Sequence, residues 1–258
     1  MKFLVLSVSL LAAASAATAN ERVVYGGGDP AKSTYSGVIV PHTLEVFTGA
    51  GIGGYEWSGV TAGTGENLVQ VSLNPLGFGV GQSDMVLNAI EEGEPIKVYY
   101  TNMGPECFHV ISKDGSDFAK AVAGGAPIYV GSELSGTAWS VQSLLREGYE
   151  VDPATLDIRF EPVSNAASGG IGVFVQRPDP NASVYKTYAD QGFAFTGVDS
   201  IEAELAGYTP LEITVKDSGV LLGLGSKSQS FRSTCMTTVL FGHKPENVDA
   251  TTREGKYL

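Results

Sequence analysis

Three small residues in the middle of the chain, Ser135-Gly136-Thr137, have the chemistry of a small-anion site. They follow a short apolar run that begins at Ile128 and precede apolar residues at helical spacing, a pattern that predicts a strand, a turn and a helix. Hydroxyl side chains cap a helix start well, glycine lets a ligand approach the backbone, and free amide N–H groups there attract negative charge. The turn therefore suits a carboxylate, although an ordinary capped helix would explain the same residues.

The order of strand, glycine-rich turn and helix recurs in the first third of the chain. It occurs at residues 23–47, 60–68 and 78–84. This alternation is typical of an α/β protein, in which ligands collect outside the carboxyl ends of the strands. We therefore expect the turns to lie around one binding site.

Polar side chains at these turns are the candidate ligand-binding residues. Glu66 would accept a hydrogen bond from a ligand ammonium group, and Arg177, at the end of a strand predicted at 171–176, would grip a carboxylate with two hydrogen bonds. Tyr208 would form an apolar wall. Helix capping, turn formation and exposure to solvent are the alternative roles. The full set is Thr34, Tyr35, Ser36, Glu66, Asn67, Gln82, Ser83, Ser135, Gly136, Thr137, Arg177 and Tyr208.

Four short motifs carry a resemblance to a known family. They are GGGDPAKSTY at residues 26–35, GTGENL at 63–68, GQSD at 81–84 and SGT at 135–137. In this order and spacing they resemble the periplasmic solute-binding proteins of TRAP transporters, specifically the TAXI type. The resemblance implies a two-lobed type 2 periplasmic-binding-protein fold of class α/β, with a helix-flanked sheet in each lobe and two crossover strands. It also implies capture of a carboxylate or amino acid, including glutamate-like compounds, for membrane transporter subunits.

The resemblance also implies a division of the chain. Residues 20–107 with 235–258 would form the first lobe, and residues 108–234 the second. The second lobe would contain strands at residues 156–160 and 171–176, and a strand at residues 234–241 would return to the first lobe. Cys107 and Cys235 would then lie on neighbouring crossover strands, where a disulfide could join them. Two buried free thiols are the alternative. The chain is shorter after residue 242 than the family pattern.

The N-terminus has the pattern of a secretory signal. Lys2 is followed by an apolar run at residues 3–11 and by small residues that end in Ala17-Thr18-Ala19. We expect cleavage after Ala19 and a periplasmic product without a lipid anchor. A membrane anchor is the alternative, but the apolar run is shorter than the ~20 residues that a span requires.

Composition excludes several other functions. The formal net charge is −12, so nucleic acid is a poor partner. The three histidines are far apart without carboxylates or cysteines at metal-ligand spacing, and no dinucleotide or P-loop motif is present. We therefore predict no metal, no cofactor and no catalytic residue. We also expect a monomer. Two further hypotheses remain open, a sensory module that passes its ligand state to a receptor and an exported α/β serine hydrolase.

Overall fold

The computed structural model describes residues 21–30, 33–180, 182–217 and 227–244. The predicted signal peptide, residues 1–19, lies outside these ranges, as do the last fourteen positions, 245–258. None of the helices in the described ranges is long and apolar enough to span a membrane.

The strands of the described chain form two sheets that share one long strand. The first sheet has the order β2-β1-β3-β11-β4 and the second has the order β7-β6-β8-β5-β9, with β10 paired to the other end of β11. The strands are β1 (Val23–Gly27), β2 (Glu56–Thr61), β3 (Phe78–Gln82), β4 (Ile96–Tyr100), β5 (Pro105–Ser112), β6 (Ile128–Tyr129), β7 (Ile158–Arg159), β8 (Ile171–Gln176), β9 (Ala194–Thr196), β10 (Thr209–Asp217) and β11 (Lys227–His243).

The two sheets repeat one arrangement. In each, three parallel strands stand in the order second, first, third, and an antiparallel strand follows: β11 beside β3 in the first sheet and β5 beside β8 in the second. This is the strand order of the type 2 periplasmic-binding fold. The predicted fold class, two-lobed α/β, is therefore confirmed.

Helices connect the strands and cover the sheets. They are α1 (Val40–Gly49), α2 (Thr64–Leu73), α3 (Ser83–Glu91), α4 (Phe118–Gly124), α5 (Gly136–Ser143), α6 (Ser183–Asp190) and α7 (Ile201–Leu205). A π-helical turn, Tyr35–Ile39, leads into α1, and a second, Leu144–Gly148, extends α5. Helix α5 begins at the Ser135-Gly136-Thr137 turn, as the sequence predicts.

In the described parts of the chain, two segments join the lobes. Strand β11 pairs with β10 and β5 up to Thr237 and with β3 and β4 from Thr238 onward, while residues 101–104 connect β4 to β5. Cys107 of β5 lies directly opposite Cys235 of β11, and their sulfur atoms are bonded at 2.05 Å. The predicted disulfide is confirmed.

Each lobe buries its own apolar side chains on both faces of its sheet. In the first lobe, Val24 and Tyr25 point to opposite faces because side chains alternate along a strand. On β3 the alternation is between apolar residues and glycine. A Cβ atom at Gly79 would lie 2.4 Å from the Phe241 ring, so glycine is required there for β11 to pack its aromatic side chain on β3.

Two elements differ from the sequence prediction. The strand predicted at residues 156–160 contains only Ile158–Arg159, because a 3-10 turn precedes it and Pro162 follows. The return strand, predicted at residues 234–241, is much longer and pairs over nine residues with β10, which the sequence pattern did not predict.

Candidate functional site

A cavity of about 190 Å³ lies between the two lobes at the carboxyl ends of the parallel strands. Both lobes contribute to it: the turns before α1 and α2 come from the first, and the start of α5 and the end of β8 come from the second. The lining residues are Gly27, Gly28, Ser33, Thr34, Tyr35, Ala62, Gly63, Thr64, Gln82, Glu106, Ser135, Gly136, Thr137, Val175, Gln176 and Arg177.

Seven of the twelve predicted ligand-binding residues line this cavity. They are Thr34, Tyr35, Gln82, Ser135, Gly136, Thr137 and Arg177. They come from turns far apart in sequence, so the expectation that the turns converge on one site agrees with this geometry.

Hydrogen bonds to two hydroxyl groups fix the start of α5, one from within the helix and one from β8. The Ser135 hydroxyl accepts a hydrogen bond from the Ala138 N–H at 3.1 Å, and the Thr137 hydroxyl accepts one from the Val175 N–H at 3.0 Å. Both hydroxyls therefore position the turn. Within the described chain the N–H groups of Gly136 and Thr137 have no hydrogen-bond partner. These two donors at a helix N-terminus are available to an anion.

Arg177 supplies a positive charge at the mouth of the cavity. It directly follows β8 and is exposed, and its guanidinium group has no ion-pair partner in the described residues. The group lies against Gly104 of the β4–β5 connection, where a Cβ atom would be 3.3 Å from the Arg177 Cζ. Arg177 and the α5 start thus offer donors of the kind that bind a carboxylate.

The inner wall of the cavity contains a buried acid that the site prediction missed. Glu106, only 4% exposed, accepts a hydrogen bond from the Tyr35 hydroxyl at 2.7 Å. Burial raises the pKa of Glu106 to about 7, although hydrogen bonds from Tyr35, Thr238 and Gln82 favour the ionised form. A charged residue at the start of the apolar run 107–111 is the sequence signal that could have identified it.

Gln82 lies beside Glu106 with one hydrogen-bonding atom unused. Its side chain is 3% exposed, and its Oε1 atom is buried without a hydrogen-bond partner in the described structure. A Cβ atom built on Gly136 would lie 1.7 Å from this oxygen. Gln82 of the first lobe and Gly136 of the second are therefore in close contact across the cavity.

Five predicted residues lie outside the cavity, and local hydrogen bonds account for two of them. The Ser36 hydroxyl donates to the carbonyl oxygen of Gly27 at 3.0 Å. The Glu66 carboxylate accepts from the Ala62 N–H at 2.7 Å, so it caps the start of α2. The sequence analysis predicts that Glu66 accepts a hydrogen bond from a ligand ammonium group. The structure instead places Glu66 in a different pocket, outside the interlobe cavity.

Asn67 and Ser83 point away from the cavity for similar reasons. Asn67 is fully buried, donates to the carbonyl oxygen of Val80 and accepts from the Thr61 hydroxyl. The Ser83 hydroxyl accepts from the Thr237 N–H and so ties α3 to the crossover strand β11. Both side chains hold the turns in place.

Tyr208, the fifth of these residues, lies in a second contact between the lobes. Its hydroxyl donates to Asp84 Oδ2 at 3.0 Å, and the Ser140 hydroxyl donates to the same oxygen at 2.6 Å. Asp84 is in the first turn of α3 and Ser140 is in α5, so this trio connects the first lobe to the helix that begins at the Ser135-Gly136-Thr137 turn. We call it the interlobe latch. Burial raises the pKa of Asp84.

No cluster of His, Cys, Asp and Glu side chains in the described residues could hold a metal ion. His109 is buried between β5 and α6, with its ring nitrogens at 2.8 Å from the Cys107 carbonyl oxygen and 2.7 Å from the Tyr185 hydroxyl. Burial lowers the pKa of His109 to about 4. This histidine does not line the cavity.

Comparisons with known proteins give structural neighbours only. No family model matches the sequence, and no curated protein matches it. The effector-binding domain of QuiR in complex with shikimate has a TM-score of 0.49, 10% identity and coverage of 91% of both chains. The periplasmic aliphatic sulphonate-binding protein SsuA from Escherichia coli has a TM-score of 0.46 and 14% identity, with 88% of this chain and 62% of that chain covered.

A third neighbour is the CcmR regulatory domain of Synechocystis in complex with 2-PG, with a TM-score of 0.42, 13% identity and coverage of 91% of this chain and 90% of that chain. These neighbours are ligand-binding domains and do not specify a transporter family. Because all three TM-scores are below 0.5, we base no functional argument on them.

Proposed function

We propose that this protein is an extracytoplasmic solute-binding protein that captures a small organic carboxylate or amino acid between its lobes. The observation that carries the proposal is the set of unused hydrogen-bond donors on the second lobe. The N–H groups of Gly136 and Thr137 and the guanidinium group of Arg177 all border one cavity. A carboxylate is a small anionic group that matches donors at a helix start together with an arginine.

The two-lobed architecture supports capture followed by release. Thr34, Tyr35 and Thr64 of the first lobe face the second-lobe donors across the cavity. Two chain segments at the hinge would allow the lobes to open and close around a ligand. The site therefore suits a protein that binds its ligand and transfers it unchanged.

Delivery to a TRAP-type transporter is the role we propose for the bound form. It rests on the four TAXI-like motifs and on the predicted signal peptide, which would place the protein in the periplasm. Ligand sensing for a receptor would use the same cavity and is the alternative. A serine hydrolase has less support, because no histidine in the described chain lines the cavity beside Ser33 or Ser135.

A thermal-shift screen against carboxylates and amino acids tests the proposal. A true ligand stabilises the fold by mass action, by about 2.7 kcal/mol at a hundredfold excess over Kd. Calorimetry with Arg177→Gln should then give a weaker affinity for the same compound. A screen without any stabilising carboxylate or amino acid would contradict the proposed function.

A further inference from the structure

The cavity has two chemically different ends. Hydrogen-bond donors lie at the second-lobe side, at Gly136, Thr137 and Arg177. A carboxylate acceptor, Glu106, lies at the inner wall. A ligand that carried only carboxylates would bring no positive charge to this acidic end.

Burial makes the charge of Glu106 costly when no cation accompanies it. In the described residues, the hydrogen bonds that Glu106 accepts come from the neutral side chains of Tyr35, Thr238 and Gln82. None of these donors neutralises its charge. A positively charged donor in the cavity would do so.

We propose that Glu106 binds a protonated amine, so that the ligand is a small zwitterion with its carboxylate at the start of α5. The inference rests on the proposed function and narrows its ligand class. Glu106 thereby takes the role that the sequence analysis gave to Glu66. It determines specificity, because a carboxylate without an amine cannot pair with it.

Binding of an amine at Glu106 should displace a proton. The groups that face Glu106 are Tyr35 before α1, Gln82 at the end of β3, Asp84 in α3 and Thr238 in β11. The negative charge of Asp84 raises the pKa of Glu106 further. With that pKa at about 7, Glu106 is partly protonated at pH 7. An ammonium group favours the ionised form, so we expect release of a fraction of a proton per ligand at pH 7.

Matched ligand pairs test the inference on the unmodified protein. The probes are L-glutamate with glutarate, L-alanine with propionate and lactate, and L-leucine with 4-methylpentanoate. Titration calorimetry at pH 7 in two buffers of different ionisation enthalpy gives both the affinity and the number of protons exchanged. We expect binding by an amino acid at least tenfold tighter than by its partner without the amine, with proton release.

Two variants separate a specific contact from a general effect on the fold. Glu106→Gln should weaken amino-acid binding about ten- to a hundredfold, remove the preference for the amino acid over the carboxylate without an amine, and abolish proton release. Glu66→Gln is the matched control and should change neither affinity, because Glu66 lies outside the cavity. At pH 8 the ligand-free Glu106→Gln protein should melt no lower than the parent, since the substitution removes a buried charge.

The outcomes distinguish the inference from the proposed function. Equal affinity for both members of a pair, or proton uptake on binding, would overturn the amine site while a carboxylate-binding protein remained. Absence of binding by every member of the panel would contradict the proposed function and the amine site together. If Glu106→Gln fails to fold, the matched pairs and the proton count on the parent protein still decide.

Discussion

Substitution of Gly136 by alanine probes the contact between the lobes with the smallest change. The added Cβ atom would lie 1.7 Å from Gln82 Oε1, 2.6 Å from Gln82 Cδ and 3.0 Å from Thr64 Oγ1. Contacts below 3.0 Å are essentially never seen for Cβ atoms. Gln82 must therefore turn away, or the lobes must stay further apart.

The structure sets the expected size of the effect. Gln82 is buried, and its side chain donates a hydrogen bond to Glu106. Loss of one partner for a buried polar group costs about 1–3 kcal/mol. If the closed arrangement binds the ligand, this cost appears as a roughly 5- to 150-fold weaker affinity.

Calorimetry on Gly136→Ala, with Gly49→Ala as control, measures this effect. Gly49 is the last residue of α1, and nothing lies within 4 Å of a Cβ atom built there. The control should bind like the parent. If Gly136→Ala also binds with the parent affinity, Gly136 is not at the ligand or at the lobe contact, and the Ser135–Thr137 turn is only a helix cap.

Three further predictions concern the hinge, the core and the interlobe latch. Reduction of the Cys107–Cys235 disulfide should lower the free energy of unfolding by roughly 2–4 kcal/mol and change ligand affinity less, because the bond closes a loop with a sequence separation of 128. Mass spectrometry of the unreduced protein should find no free thiol. The folded pKa of His109 is about 4, below its ordinary 6.5, so the contribution of His109 to the free energy of unfolding should be fully present above pH 6.5 and fall by about 3 kcal/mol between pH 6.5 and pH 4. Denaturant titrations of His109→Phe should show a flatter pH dependence in this range. Asp84→Ala removes the acceptor shared by Ser140 and Tyr208, so the lobes should close less favourably and the ligand affinity measured by calorimetry should fall about tenfold. An unchanged affinity would show that the interlobe latch does not control closure.

The sequence predicts those parts of the site that depend on local pattern. The Ser135 cap and the position of Arg177 directly after β8 follow from short-range strand and helix signals. The pairing of Cys107 with Cys235 followed from a family resemblance carried by four motifs, because residues 128 positions apart have no local signal that joins them.

The orientation of polar side chains in the turns could not be predicted. Ser36, Glu66 and Asn67 have the same hydrogen-bonding capacity as residues that line the cavity, but each bonds to a nearby backbone group. Glu106 was missed because its role depends on long-range packing: Tyr35 and Gln82 approach it only in the folded chain. Tertiary contacts, and not residue type, decide which side chains face the ligand.

The most direct test of the central claim is a crystal structure of the protein with the tightest-binding carboxylate from the screen. We expect a carboxylate oxygen within hydrogen-bond distance, about 2.7–3.2 Å, of the N–H groups of Gly136 and Thr137, and the Arg177 guanidinium group turned toward it. A ligand bound elsewhere, such as in the groove beside Asp84 and Tyr208, would contradict the assignment of the interlobe cavity as the binding site.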